Sequence, residues 1–475
     1  MWHLAVLQDV TEPERISVFN IPMQYRQPSD TITSDPQQLF TRAVAMHQQG
    51  NMEAAEEAYH QVLGILPGHP KVLANLGLLY ATTGRRDRAI QCYRQALEKA
   101  PQDPSIHINL GALHEEEGQG QEALFCYRRA LQADPANAIA HNNLGKLLAD
   151  LGRTAEAAHH LELALQEEPD YPLALNNLGV VYAKMDRLQE AADCFRRSLD
   201  LVPGDVRMHY NLAGVYLSDG RSGQAKEQLQ QVLEQDPRHA PARHLLAACT
   251  GQTTAQAPPS YVQDVFDRYA GHFDTHIQEV LGYTVPRDLR TLFDDLAPEG
   301  LPLARGVDLG CGTGLAGQVF RDLVGDLTGV DLSSGMLAQA RAKAVYDRLH
   351  QGDIVAFLGN TDQRFDLLLA ADVFIYLGDL QPVFAAMAAS TVPGGWLLFS
   401  VEDYAAGEKK RGYVLRESGR YAHDDTYLRT LAAEHGFTVR ATRTQGIRRE
   451  KCGWIDGRLY VLQKNVQPSG EARKS

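Results

Sequence analysis

The residues best suited to chemistry cluster in one short run, Val307-Asp308-Leu309-Gly310-Cys311-Gly312-Thr313-Gly314. Glycines in such a run let a ligand approach the backbone where a helix begins. Gly310, Gly312 and Gly314 are therefore expected to contact a ligand, with Cys311 as a small backbone-contact residue rather than a nucleophile. Gly312, Gly314 and Gly317 also spell G-x-G-x-x-G, the spacing of a dinucleotide site. Asp308 argues against that reading, because a carboxylate just before the glycines repels a pyrophosphate and attracts an ammonium. S-adenosylmethionine offers an ammonium, a sulfonium and no phosphate, so it is the expected ligand. A dehydrogenase with a dinucleotide is the alternative this turn leaves open.

Strands must position this turn. Apolar runs predict them at 306–310, 327–333, 349–353, 365–373 and 394–401, with a last pair at 438–450 and 457–464. Helices are predicted near 315–323, 334–344, 380–390 and 424–435. The first five strands should be parallel, with crossover helices on both faces. The last two are too close in sequence for a parallel return and must pair antiparallel. The expected domain is thus Rossmann-like α/β, a seven-stranded sheet with the last strand antiparallel. Asp331, Asp353 and Asp372 fall at or just past the ends of successive strands.

With D-x-G-x-G-x-G in place, residues 300–464 resemble the class I S-adenosylmethionine-dependent methyltransferases. The resemblance implies that Asp331 holds the ribose hydroxyls, with Leu332, Ser333 and Met336 packed on the adenosine. It implies that Asp353, within Gly352-Asp353-Ile354, sits by the adenine amino group with Ile354 against the ring. Asp372 and Val373 would form the lip facing the sulfonium. The second half as a whole resembles bacterial predicted methyltransferases that carry tetratricopeptide repeats, whose FD-x-YA-x-x-FD opening is seen at Phe266–Asp274 and whose late GRYAH is seen at Gly419–His423. Tyr269 and Phe273 lie four apart on one helical face and would belong to a lid over the cofactor. His423 is the candidate base, with Tyr376 and Tyr421 as further catalytic candidates; Arg420 is placed to clamp an acceptor carboxylate. No D/N-P-P-Y tetrapeptide follows the fourth strand, which disfavours amino-methylation of nucleic acid. Arg443, Arg448, Arg449 and Lys451 read as a solvated basic face.

The first half repeats itself. NLGLLY at 75–80 recurs as NLGALH, NLGKLL, NLGVVY and NLAGVY in steps of 34 residues, the tetratricopeptide period. Ala89, Ala123, Ala157, Ala191 and Ala225 keep phase, as do the closing prolines Pro101, Pro135, Pro169, Pro203 and Pro237. A weaker leading repeat brings the count to six, and 240–250 reads as a capping helix. An all-α solenoid is expected, since each helix pair buries its apolar face only against its neighbours. One asparagine recurs at each first helix: Asn75, Asn109, Asn143, Asn177 and Asn211. Each offers an amide donor and acceptor, so the ladder is expected to bind the backbone of an extended peptide. It looks like the asparagine ladder of the O-linked N-acetylglucosamine transferases.

The expected organisation is an N-terminal arm (1–35) with a short strand near 16–21, the solenoid (36–250), a linker (251–260), the methyltransferase domain (261–466) and a tail (467–475). Lys and Arg number 46 and Asp and Glu 59, a net charge of −13 that argues against a nucleic-acid or anionic-membrane binder. No apolar run reaches the length of a membrane span, and no secretory leader is legible, so a cytoplasmic enzyme is expected. The six cysteines have neither zinc-site nor disulfide spacing, and no metal is expected.

Overall fold

A computed structural model describes residues 7, 35–271, 273–296, 302–404, 412–450 and 453–466. The expected strand at 16–21 and the tail at 467–475 lie outside these residues. The chain divides into two compact units between Leu212 and Ala213.

The first unit is a run of antiparallel helix pairs: α1 (Pro36–Gln48) and α2 (Met52–Ile65), α3 (Pro70–Thr82) and α4 (Arg86–Lys99), α5 (Pro104–Glu116) and α6 (Gly120–Ala133), α7 (Ala138–Asp150) and α8 (Thr154–Glu167), α9 (Pro172–Lys184) and α10 (Leu188–Leu201). Helix α11 (Val206–Ser218) opens the sixth pair. Asp35, Asp103 and Asn137 cap the free backbone N–H groups at helix starts, and Pro36, Pro70, Pro104 and Pro172 occupy first turns, where no N–H is needed. In the second to fifth pairs a glycine on the first helix meets a bulky residue on the second. A Cβ on Gly77 would lie 2.8 Å from Tyr93, and one on Gly145 2.6 Å from Leu161; Gly111 and Gly179 meet Tyr127 and Phe195 in the same way. The close approach therefore needs a small residue on the first helix as well as the alanine on the second.

The asparagine ladder is inside the stack, which corrects the expectation of a peptide-binding row. Asn75, Asn109, Asn143, Asn177 and Asn211 are all 4% exposed or less. Asn177 Nδ2 donates to Asn142 Oδ1 and Asn211 Nδ2 to Asn176 Oδ1, each at 2.9 Å. Buried amides must be paired, and here they join one repeat to the next.

The second unit begins in α11 and continues through α12 (Ser222–Gln235), α13 (Ala240–Cys249), α14 (Pro259–Tyr269), α15 (Phe273–Thr275), a π-helical turn (His276–Val280) and α16 (Val285–Asp294). The capping helix α13 packs against this unit: His244 Nε2 bonds the Gly419 carbonyl at 2.9 Å, and its ring lies 5.1 Å from that of Tyr261. That contact explains why the division does not fall at 251–260. The expected linker is itself docked. Ala255 O accepts from Gly378 N and Asp379 N at 2.8 Å, and Ala257 N donates to Tyr376 O at 2.9 Å.

Alternation follows: β1 (Leu303–Leu309), α17 (Leu315–Phe320), β2 (Val324–Asp331), α18 (Ser334–Lys343), β3 (Arg348–Gln351), α19 (Ile354–Asn360), β4 (Phe365–Ala370), α20 (Gln381–Ser390), β5 (Thr391–Asp403), β6 (Tyr413–Leu415), β7 (Tyr421–His423), α21 (Asp425–Glu434), β8 (Phe437–Glu450) and β9 (Gly453–Lys464). Strands β3-β2-β1-β4-β5 are parallel, β9 runs antiparallel beside β5, and β8 pairs with β9. All seven expected strands are present. The hairpin β6–β7 is an addition, joined to Glu402 and Asp403 at the end of β5. Helices cover both faces, so β4 is apolar from Leu367 to Ala370: Leu368 shares one core with Phe384 and Leu428, while Leu367 and Leu369 share another with Leu289 and Phe293. Among the described residues no helix is long and apolar enough to cross a membrane.

Candidate active site

A cleft opens at the carboxyl ends of β1, β2 and β4, where a doubly wound sheet leaves room for a ligand. The turn after β1 folds back on β2, with Gly310 N and Cys311 N donating to Val330 O at 2.8 and 2.9 Å. Gly310 has φ +69°, and a Cβ there would lie 2.5 Å from Val373. Gly312, at φ +53°, has nothing within 4 Å of a notional Cβ, so bare backbone faces the cleft.

Four aspartates surround it. Asp308 is 1% exposed and accepts a 2.6 Å bond from the Tyr346 hydroxyl; burial pushes its carboxyl up to about 7. Asp331 accepts from Gly312 N (2.8 Å) and Ser333 N (2.9 Å), and burial raises its pKa despite those bonds. Asp353 caps α19 through Ala356 N at 2.9 Å, with Ile354 beside it. Asp372 sits at φ +63°, its N–H donating to Ser400 Oγ at 2.8 Å and its carboxylate accepting from Arg448 at 3.1 Å.

The leading helices roof the cleft with Phe266, Phe273 and Ile277. Two ties hold them. Asp267 accepts from Ser333 Oγ at 2.5 Å and Gly335 N at 3.0 Å, fixing α14 to the start of α18. Asp274 accepts from Thr313 Oγ1 and pairs with Lys343, both at 2.5 Å, fixing α15 to the glycine turn.

Of the residues expected from sequence, Phe273, Asp308, Gly310, Cys311, Gly312, Asp331, Leu332, Asp353, Ile354, Asp372, Val373 and Tyr376 line the cleft. Five expected cofactor contacts lie behind it. Tyr269 packs edge-on against Phe273 and His276, at 5.4 Å each, and supports the roof from outside. Gly314 begins α17 facing Tyr346, Ser333 caps α18 through Met336 N, Met336 is buried beneath that cap, and Gly352 donates to Asp331 O.

Three acceptor-side expectations are corrected. His423 is 0% exposed on β7; its Nε2 donates to Leu377 O (2.8 Å) and lies 3.2 Å from Gly378 O, and burial lowers its pKa to about 4. It braces the segment after β4 and does not line the cleft. Tyr421 is buried on the same hairpin and bonds Thr254 Oγ1 at 2.5 Å. Arg420 is buried, lies 2.6 Å from Glu450 and 3.6 Å from Glu402, and is no acceptor clamp. Arg448, read as part of a solvated face, is 0% exposed and joins Asp372 to Glu402; Lys451 lies outside the described residues. Sequence reasoning also missed Tyr283, Gln256 and Ala257 in the lining. The FD-x-YA-x-x-FD opening carried a signal for the roof; Tyr283 and the docked segment carried none.

The lining tests the cofactor. Its charged side chains are all carboxylates: Asp308, Asp331, Asp353 and Asp372. Among the described residues no lysine or arginine lines it to meet a pyrophosphate, whereas an acid at the end of β2 suits a diol and Asp308 suits an ammonium. The residues fit S-adenosylmethionine. Among the described residues no three His, Cys, Asp or Glu gather to hold a metal.

Residues 307–399 match the family described as methyltransferase domain, and residues 46–113, 116–152, 142–206 and 183–249 match tetratricopeptide repeat families. The chain thus combines a tetratricopeptide array with a Rossmann-like methyltransferase domain. A malonyl-acyl-carrier-protein O-methyltransferase of Erwinia billingiae is 37% identical over 94 residues, covering 20% of this chain and 37% of that protein. A ubiquinone biosynthesis O-methyltransferase of Rhodopseudomonas palustris is 30% identical over 126 residues, covering 25% and 50%. The chain spans half or less of the length of these two relatives. The solved Pseudomonas aeruginosa pilF structure is similar over 45% of this chain and 96% of that one, with 18% identity and a TM-score of 0.42.

Proposed function

We propose that this chain is an S-adenosylmethionine-dependent methyltransferase that recruits a protein or peptide through its repeat array and methylates it. The observation that carries the catalytic half is the cleft at the strand ends, with bare glycine backbone, four carboxylates and, among the described residues, no cationic side chain in its lining. When bound, the cofactor supplies a methyl group already activated by a sulfonium. The protein's own residues then have to orient and exclude water, and proximity alone supplies up to ~7–11 kcal/mol. Asp331, held by two backbone N–H groups, would take the ribose hydroxyls, and Asp308 the ammonium. Phe266, Phe273 and Ile277 would keep water from the reacting groups.

Support for recruitment is the array itself, since tethering raises local substrate concentration without demanding a tight catalytic pocket. The asparagine ladder is withdrawn from that role because its amides are buried. A second reading, a small-molecule acceptor with the array serving only to dock the enzyme, is favoured by the name of the ubiquinone biosynthesis relative. One experiment separates them. The chain, with tritiated S-adenosylmethionine, is added to lysate from cells lacking it, and products are fractionated by class. Label in protein is expected; label confined to small molecules supports the second reading, and no label removes both.

A further inference from the structure

We infer that the acceptor end of this cleft is built for a primary amine on an apolar stem, held by the carboxylate of Asp372 and the hydroxyl of Tyr376, and that it rejects a carboxylate. The inference rests on the donor assignment above, in which Asp308, Asp331 and Asp353 hold the cofactor and Asp372, at the end of β4, faces the sulfonium from the side where an acceptor must enter.

Asp372 belongs to a buried ion cluster. Arg448 contacts Asp372, Glu402 and Glu450, and Arg420 contacts Glu402 and Glu450. Both arginines are 2% exposed or less, so three carboxylates share two buried guanidinium groups. A third, Arg416, lies 3.6 Å from Glu402, but its side chain is 38% exposed and its charge is screened by water. Glu450 is 31% exposed and is discounted likewise, so the buried part of the cluster, Asp372 and Glu402 with Arg420 and Arg448, balances; of its members only Asp372 lines the cleft. The two buried arginines do not line the cleft, and among the described residues its charged side chains are all acids.

The second observation is independent. Tyr376 lines the cleft at 8% exposure, and among the described residues its hydroxyl has no hydrogen-bond partner. A buried hydroxyl left unpaired calls for a ligand group. The Phe266 ring lies 5.6 Å from that of Tyr376, and Val262, Tyr283, Ile375 and Leu377 also line the cleft, a set of side chains that suits an apolar stem. An amine meets both needs, pairing its charge with Asp372 and accepting from or donating to Tyr376 according to its protonation. A lysine side chain or a chain's terminal amine has this chemistry, and so has a small arylalkylamine.

The test uses the full chain and S-adenosylhomocysteine. Calorimetry first measures the affinity for this product. With it saturating, phenethylamine and 3-phenylpropionate, matched in stem and opposite in charge, are titrated, and the shift in Tm is read alongside. Phenethylamine is expected to bind at least about tenfold more tightly. Asp372→Asn, a residue type that tolerates the positive φ, and the isosteric Tyr376→Phe should each narrow that gap. Equal binding, tighter binding of phenylpropionate, or no binding of phenethylamine to the product complex would overturn the inference alone. Failure to bind S-adenosylhomocysteine would remove the donor assignment and this inference together.

Discussion

Asp308 and Asp331 occupy similar positions on adjacent strands and are expected to respond differently to change. Asp331 already orders the turn through Gly312 N and Ser333 N. Asp331→Ala should therefore abolish cofactor binding by calorimetry, not merely weaken it. Asp308 is raised by burial from 3.8 to about 7, so the folded chain holds a proton there that the unfolded chain releases. Its contribution to the stability of the free protein is greatest below the unfolded value and falls as pH rises through about 7. A cationic ligand needs the ionised form. Affinity for S-adenosylhomocysteine should thus fall as pH drops below 7, approaching about tenfold per unit. A flat profile between pH 8 and 5.5 in the native chain would contradict the pairing of Asp308 with an ammonium; Asp308→Asn should bind weakly and show no such slope.

At the scale of elements, β8 carries the least expected feature. Its register shifts between Gly446 and Arg448, leaving Ile447 and Arg448 buried in succession. The bulge breaks the two-residue alternation and turns a guanidinium inward beneath Asp372. Arg448→Met should cost about 3–5 kcal/mol in chemical denaturation, because it leaves buried carboxylates without their cation. Adding Glu402→Gln should recover part of that loss; no recovery would mean the arginine acts by packing. In the array, Gly111→Ala would place a methyl 2.7 Å from Tyr127 and should destabilise by about 1–3 kcal/mol. Tyr127→Leu in the same chain should relieve part of that effect, as read from Tm.

For the whole molecule, two units imply that unfolding need not be a single transition. Asn177→Ala removes the bond to Asn142 inside the first unit and leaves its acceptor buried. It should lower the array's transition by the equivalent of about 1–3 kcal/mol and leave affinity for S-adenosylhomocysteine unchanged. A fall in that affinity would show that the array and the cleft are energetically coupled. The docked segment at 255–257 makes its own contribution at this scale, since Gln256 and Ala257 line the cleft while their neighbours bond the chain after β4.

The amino-acid sequence determined the 34-residue period, the order of the seven strands and the acids at their ends, because these depend on spacing along the chain and on side-chain periodicity. It did not determine which polar groups face a ligand. The ladder asparagines are hidden by stacking of neighbouring repeats, a relation between residues about 35 apart. His423, Tyr421 and Arg420 turned inward because a hairpin with strands of three residues, too short to show alternation, folds them against the segment after β4, the docked linker and β8. Local pattern fixes which elements form. Burial and charge pairing between elements distant in sequence decide which side chains remain available for chemistry, and those exist only once the chain is folded.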